Sequence, residues 1–359
     1  MLNSNQYKQN LLQYFESLRN KEKHYGVYHY KKGLPDTIWS SAYVALTRSL
    51  IGELEYISQE DRSEWLSYLE NSQDPETGLF LEPTMTKESM TSKIHTAQLA
   101  KWHGSTFVNG AIHVLGGDLK YPVSDINFLK EKGKMTAYLD SLPWEDPWLA
   151  GNYTYDIGCL LGFDYRVTED IHNLDAMDEF FLWHNKYQKN DTGFWNPTEK
   201  GSLAQELYGG YHSLMVYWMF DKEVLLPDKM IKSALNVYQQ NGSSTGCCQD
   251  MDIFDTAISL YRQYGMMDYE IRKAAEDILP SLLDKLNPDG GFCNDRKNTF
   301  SDLGWTNHMV GIGESALTCT YFNTFTLSLM EEILELGLQD AGFRHMDTYC
   351  HGIRPKCLL

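Results

Sequence analysis

The stretch Gln188-Lys189-Asn190-Asp191-Thr192-Gly193-Phe194-Trp195 lies between two segments of helical periodicity. Asn, Asp, Thr and Gly in succession mark a turn, and the aromatic pair after the glycine anchors the chain again. Gln73-Asp74-Pro75-Glu76-Thr77-Gly78-Leu79-Phe80 keeps the same spacing: Gln, four residues, Gly, one residue, an aromatic. Weaker copies run from Gln240 to Gly246-Cys247-Cys248 and over Asn287-Pro288-Asp289-Gly290-Gly291-Phe292. Gly78, Gly193, Gly246 and Gly291 stand 115, 53 and 45 residues apart. The first interval spans about two units, with Leu142-Pro143-Trp144-Glu145-Asp146-Pro147-Trp148 as a degenerate copy inside it. A unit of roughly 45–60 residues, each a helix, a turn and a helix, is a repeat architecture.

Working outward, helical periodicity marks 38–51, 58–69, 96–115, 149–161, 176–187, 203–220, 229–239, 271–286 and 314–336. No run of alternating strand residues competes. Over 359 residues, six helix pairs of about 60 residues fit. A closed ring covers every unit's apolar face, whereas an open solenoid needs polar caps, and none is evident. The expected fold is all-α, an (α/α)6 toroid with a central pocket. One domain is expected over 1–359, with 1–30 as an N-terminal helix and loop and 340–359 as a tail packed on the ring.

The composition, 42% hydrophobic and 13% aromatic, supports an ample core. Against 31 basic residues stand 49 acidic ones, a formal charge of −18 that repels phosphate backbones and anionic lipid. Nucleic-acid partners are therefore not expected. No apolar run approaches the roughly 20 residues of a membrane span. The seven cysteines are odd in number and irregular in spacing, unlike a disulfide framework. With a polar start at Met1-Leu2-Asn3-Ser4, a reducing, cytoplasmic setting is expected.

The chemistry-bearing stretch is Cys247-Cys248-Gln249-Asp250-Met251-Asp252-Ile253-Phe254-Asp255-Thr256-Ala257-Ile258-Ser259-Leu260. Ile253, Phe254, Ala257, Ile258 and Tyr261 form one helical face, and Asp252 and Asp255, three apart, share a side. Two carboxyl groups crowded in an apolar pocket cannot both ionise, so one stays a protonated acid. The alternative is capping, since Asp at a helix N-terminus suits the free N–H groups and the dipole. Asp255, a full turn inside among apolar residues, fits capping poorly.

The Gln-to-aromatic turns resemble the Gln-Trp repeat of the squalene–hopene cyclase and protein-prenyltransferase superfamily, whose fold is an (α/α)6 toroid. Asp250-Met251-Asp252-Ile253-Phe254-Asp255-Thr256-Ala257 resembles the Asp-x-Asp-Asp-Thr-Ala signature of the acid-initiated terpene cyclases, with Ile253 and Phe254 standing between Asp252 and the final Asp. That resemblance implies a cyclase or isomerase in which Asp252 protonates an alkene or epoxide, Asp250 and Asp255 tune it, and aromatic rings stabilise the cation. The prenyltransferase branch binds zinc; Asp302 is near its Asp, but Gly304 stands where a Cys is wanted. Cys350-His351 is similar to a ligand pair of the lanthionine cyclases, and two adjacent candidates fall short of the three or four ligands of a zinc site. No metal and no cofactor is expected.

Trp39, Trp102, His103, Trp148, Trp195, Tyr211, His212, Trp218, Trp305 and Glu314 are candidates for the pocket wall, with core packing as the alternative role of each ring and helix capping that of Glu314. The expected partner is a small molecule, an isoprenoid or alternatively a carbohydrate. The rival to the cyclase is a carbohydrate-processing (α/α)6 enzyme, a hydrolase, lyase or epimerase using separated carboxylates. A third reading is a non-catalytic toroid that only binds.

Overall fold

The computed structural model describes residues 3–82, 96–242, 244–301 and 309–344. Among the described residues, twelve α-helices alternate between an outer and an inner layer. The outer ones are α1 (Ser4–Leu18), α3 (Gln59–Glu70), α5 (Lys134–Ser141), α7 (Ile171–Tyr187), α9 (Pro227–Asn241) and α11 (Asp268–Asp284). The inner ones are α2 (Ile38–Leu50), α4 (Ala97–Leu115), α6 (Pro147–Thr168), α8 (Leu203–Met219), α10 (Cys247–Tyr264) and α12 (Leu317–Leu334). Each inner helix packs on the next, and α12 packs back on α2, so the ring closes as an (α/α)6 toroid.

Sequence sorts the layers. In α2 and α12 nearly every residue is buried, as befits a helix covered on all sides, and Thr, Ser and Asn turn their side chains onto the helix's own carbonyls. α1, α9 and α11 bury one stripe and leave the rest wet. The short α5 escapes sequence reading because only Met135 and Leu139 of its eight residues are buried.

The Gln turns join outer to inner helices. Gln73 pairs with Phe80 and Gln188 with Trp195 in single antiparallel bridges. The Gln73 amide donates to the carbonyls of Gly78 (2.9 Å) and Tyr121 (2.8 Å), while its oxygen accepts from the N–H groups of Lys120 and Tyr121. Gln188 repeats this with Gly193 and Leu225, both at 2.7 Å. One side chain thus closes its own turn and ties it to the next loop, satisfying buried backbone groups. Gly78 takes φ +74°, and a Cβ there would lie 2.0 Å from the Pro122 carbonyl oxygen. Its counterpart Gly246 is extended (φ −160°) and opens α10, so that copy shares the position but not the turn.

Phe343 stacks on Tyr7 of α1 at 5.9 Å, and the Arg344 N–H donates to Leu50 at the end of α2. The Cys350-His351 pair, Asp302 and Gly304 lie outside the described residues. Among the described residues, no helix is long and apolar enough to cross a membrane, and no three His, Cys, Asp or Glu gather as a metal site.

Candidate active site on the inner wall

The orientation of α10 follows from what its faces touch. Phe254 packs edge-on against Tyr238 of α9, and Asp250 forms an ion pair with Lys285 beyond α11 at 3.1 Å. Both neighbours are outside the ring. At 100° per residue the opposite face carries Cys248, Asp252, Thr256 and Ser259, so this polar stripe faces the ring axis.

Asp250 also accepts from the Thr245 N–H (3.0 Å) and the Ser244 hydroxyl. It fastens the first turn of α10 to the outer layer and turns away from the axis. Asp252 is 2% exposed and forms no hydrogen bond among the described residues; its Oδ2 is buried without a partner. Burial, then the Cys248 thiol and the charges of Asp255 and Asp250, push its carboxyl well above the usual range. Asp255 accepts from Tyr211 (2.8 Å) and Ser259 (2.5 Å). Burial raises it too, with those hydroxyls and Arg262 pulling it back.

The neighbouring helices bring two imidazoles to the same wall. His103 of α4 and His212 of α8 lie 6.3 Å apart between ring centres, both edge-on to Tyr155 of α6. His212 bonds through Nδ1 to the carbonyl oxygen of Tyr208 at 2.6 Å. A carbonyl only accepts, so Nδ1 carries the proton and Nε2 presents a lone pair. Burial, opposed by that carbonyl and reinforced by His103, lowers its pKa to about 3, so the ring stays neutral. His212 is half-buried although Tyr211 and Ser213 beside it are buried, which places its accessible edge inside the ring.

His103 meets Asp156 of α6 at 3.0 Å through Nδ1. Burial lowers His103 to about 3 and raises Asp156, so both favour their neutral forms. The shared proton then sits on Asp156, and His103 carries its own on Nε2. The two imidazoles are thus opposite tautomers, one a donor and the other an acceptor. Among the described residues, the second oxygen of Asp156 and the Thr256 hydroxyl are buried without partners.

The remaining expected residues divide. Trp148 is half-buried at the start of α6, 4.9 Å from Tyr208 of α8. Trp39 is buried against Gly104 of α4, where a Cβ would collide with its ring. Trp102 packs on Tyr138 and Tyr153 and donates to Asp125 at 2.6 Å. Trp195 stacks on Tyr217 at 5.0 Å between α7 and α8, off the axis. Trp218 lies near Tyr211, at 6.4 Å between ring centres. Glu314 is exposed and accepts from the Gly311 N–H and Lys31, tying two loops. Trp305 lies outside the described residues.

Asp156, Tyr155, Thr256 and Ser259 were not foreseen. Asp156 had a legible signal: an acid followed by Ile157, Cys159, Leu160 and Leu161 is misplaced in a helix unless it is partnered.

The chain matches no protein-family model and no curated protein. Two solved structures are similar in overall shape. One is a polysaccharide lyase, at 13% identity and TM-score 0.48, covering 92% of this chain and 96% of that one. The other is a glycosyl hydrolase of family 88 from Bacteroides vulgatus, at 10% identity and TM-score 0.48, covering 92% and 99%.

The acid-initiated terpene cyclase or isomerase is corrected on two counts. These neighbours are carbohydrate enzymes, not cyclases or prenyltransferases. Among the described residues, the wall near Asp252 is also mixed rather than dry and aromatic, with polar groups standing among Trp148, Tyr155 and Tyr208. The Cys248 thiol and the carboxyl groups of Asp255 and Asp250 act on the acid, and the His212 lone pair on the adjacent helix would quench a cation.

Proposed function

We propose that the chain is a carbohydrate-processing enzyme that cleaves a neutral glycoside by general acid–base hydrolysis. The observation that carries this reading is Asp252: a carboxyl on the axis-facing stripe of α10, shifted toward its protonated form, with a buried oxygen that no described residue satisfies. Such a group is built to give a proton to something that enters the ring. The unpartnered oxygens of Asp156 and Thr256 support a polyhydroxylated substrate, whose hydroxyls supply the missing hydrogen bonds. The formal charge of −18 favours a neutral sugar over an anionic one.

In this reading Asp252 donates its proton to the departing glycosidic oxygen. His212 Nε2 accepts a proton from the attacking water, whose oxygen bonds to the anomeric carbon as the carbon–oxygen bond breaks. The imidazolium then returns its proton to Asp252 through solvent. Trp148 and Tyr208 offer aromatic faces on which a sugar ring packs.

The test is a panel of neutral aryl glycosides and oligosaccharides assayed for released alcohol or reducing ends, wild type beside Asp252→Asn. Turnover by the wild type that falls about 10²–10⁴-fold in the variant is expected. No turnover across the panel, or equal rates in the two proteins, overturns the reading.

A further inference from the structure

We propose that Tyr211 and Ser259 are positioning residues that decide which member of the Asp252/Asp255 pair keeps the proton. The two carboxyl groups lie three residues apart on α10, close enough for each charge to act on the other. In other respects their settings differ. Asp255 receives two O–H donors, one from α8 at 2.8 Å and one from its own helix at 2.5 Å. Asp252 receives none among the described residues.

A hydroxyl donor stabilises the ionised form of the carboxylate it faces. The first proton to leave the pair therefore leaves Asp255. Its charge then makes a second ionisation beside it costly, and Asp252 remains the acid. The other groups facing the pair do not reverse this order. From α10 itself come the Cys248 thiol and Asp250, which oppose ionisation of Asp252, and Arg262, which favours that of Asp255. Arg262 is bound in turn to Glu332 of α12 at 2.6 Å, while Lys285 of the outer layer is bound to Asp250. From α8 comes the Tyr208 phenol, which burial and then Asp252 hold up at about 12, so it stays neutral. Tyr238 of α9 faces Phe254 and Asp250 on the outward side.

The inference rests on Asp252 as the acid of the proposed hydrolase, and its test has a readout that needs no substrate. Infrared spectra of protein carrying isotope-labelled aspartate, taken against pH, report the carbonyl band of each protonated carboxyl group. Asp252→Asn and Asp255→Asn assign the bands. In the wild type the band that persists to the higher pH belongs to Asp252. Removing both donors in Tyr211→Phe/Ser259→Ala leaves Asp255 protonated longer, so the Asp252 band fades at a pH lower by about one unit. Ser259→Thr, which retains a hydroxyl, keeps the Asp252 midpoint of the wild type. If glycosides are turned over, the alkaline limb of kcat moves with that band.

A persistent band that belongs to Asp255, or an Asp252 midpoint unmoved by loss of both hydroxyls, overturns the inference. A band assigned to Asp252 and shifted as expected, in a protein that cleaves no glycoside, upholds the proton assignment and removes the hydrolase.

Discussion

Two arcs of the inner ring are equally buried and built to opposite rules. On one side, Tyr43 of α2, Phe107 of α4 and Tyr321 and Phe322 of α12 interlock at centroid separations of 5.2–6.3 Å, largely edge-to-face. Each ring finds its partner in another ring, although the same helices also hold buried polar atoms without a partner among the described residues, at Asn109, Asn323 and Glu331. On the other side, α4, α6, α8 and α10 hold His103, Asp156, His212, Asp252 and Thr256, with buried oxygens left unanswered. The aromatic arc is optimised for the folded chain. What sets the polar arc apart is that its buried groups are titratable and shifted toward their neutral forms, which is the usual mark of a site.

Separate losses on the two arcs should look different. The largest effect expected is on chemistry: Asp252→Asn lowers glycoside turnover by about 10²–10⁴-fold, whereas a core defect of the aromatic arc lowers the fraction folded instead. Phe107→Ala should cost about 3–5 kcal/mol in denaturant unfolding, through lost contacts and a cavity, with the pH profile of the remaining activity unchanged.

A smaller effect of opposite sign sharpens the contrast. Asp252 titrates higher in the folded chain than in the unfolded one, because burial and like charges favour its neutral form. Between the ordinary carboxylate range and the raised folded value, the folded state binds more protons, so Asp252's contribution to stability falls as pH rises through that window. Asp252→Asn removes this term. The variant should gain about 1 kcal/mol or more over wild type at neutral pH, with the gain shrinking toward pH 4, as followed by Tm against pH. A loss of stability at neutral pH would mean that Asp252 is a structural carboxylate like Asp250. Of similar size but confined to stability, Gln188→Ala should lower it by about 1–2 kcal/mol by releasing two carbonyls, with little effect on chemistry.

The same contrast explains what the sequence discloses. The ring was legible because Gln73 and Gln188 each satisfy several backbone groups, which fixes their spacing to the glycine and the aromatic. Local chemistry of that kind survives in a one-dimensional text. The three aspartates of α10 were legible as a cluster, yet their division was not. Asp250 differs from Asp252 through Lys285, Ser244 and Thr245, and Asp255 through Tyr211 and Ser259, and Lys285 and Tyr211 lie on other elements. Likewise, Trp148 and Trp195 read alike in sequence, but one faces Tyr208 within the ring and the other Tyr217 toward the outer layer. The cyclase-like Asp motif misled because it reports a run of acids, while the proposed chemistry also draws on the imidazoles that α4 and α8 bring to the same wall.

The central claim is that a sugar enters the ring and lies against the polar arc, within reach of Asp252. Its most direct measurement is a crystal structure of Asp252→Asn with a neutral oligosaccharide that the wild type cleaves. The account predicts a sugar ring beside Trp148 and Tyr208, a glycosidic oxygen within hydrogen-bond distance of residue 252, and His212 Nε2 facing the anomeric carbon across a water. An oligosaccharide seated on the outer helices, with the inner wall untouched, would contradict it.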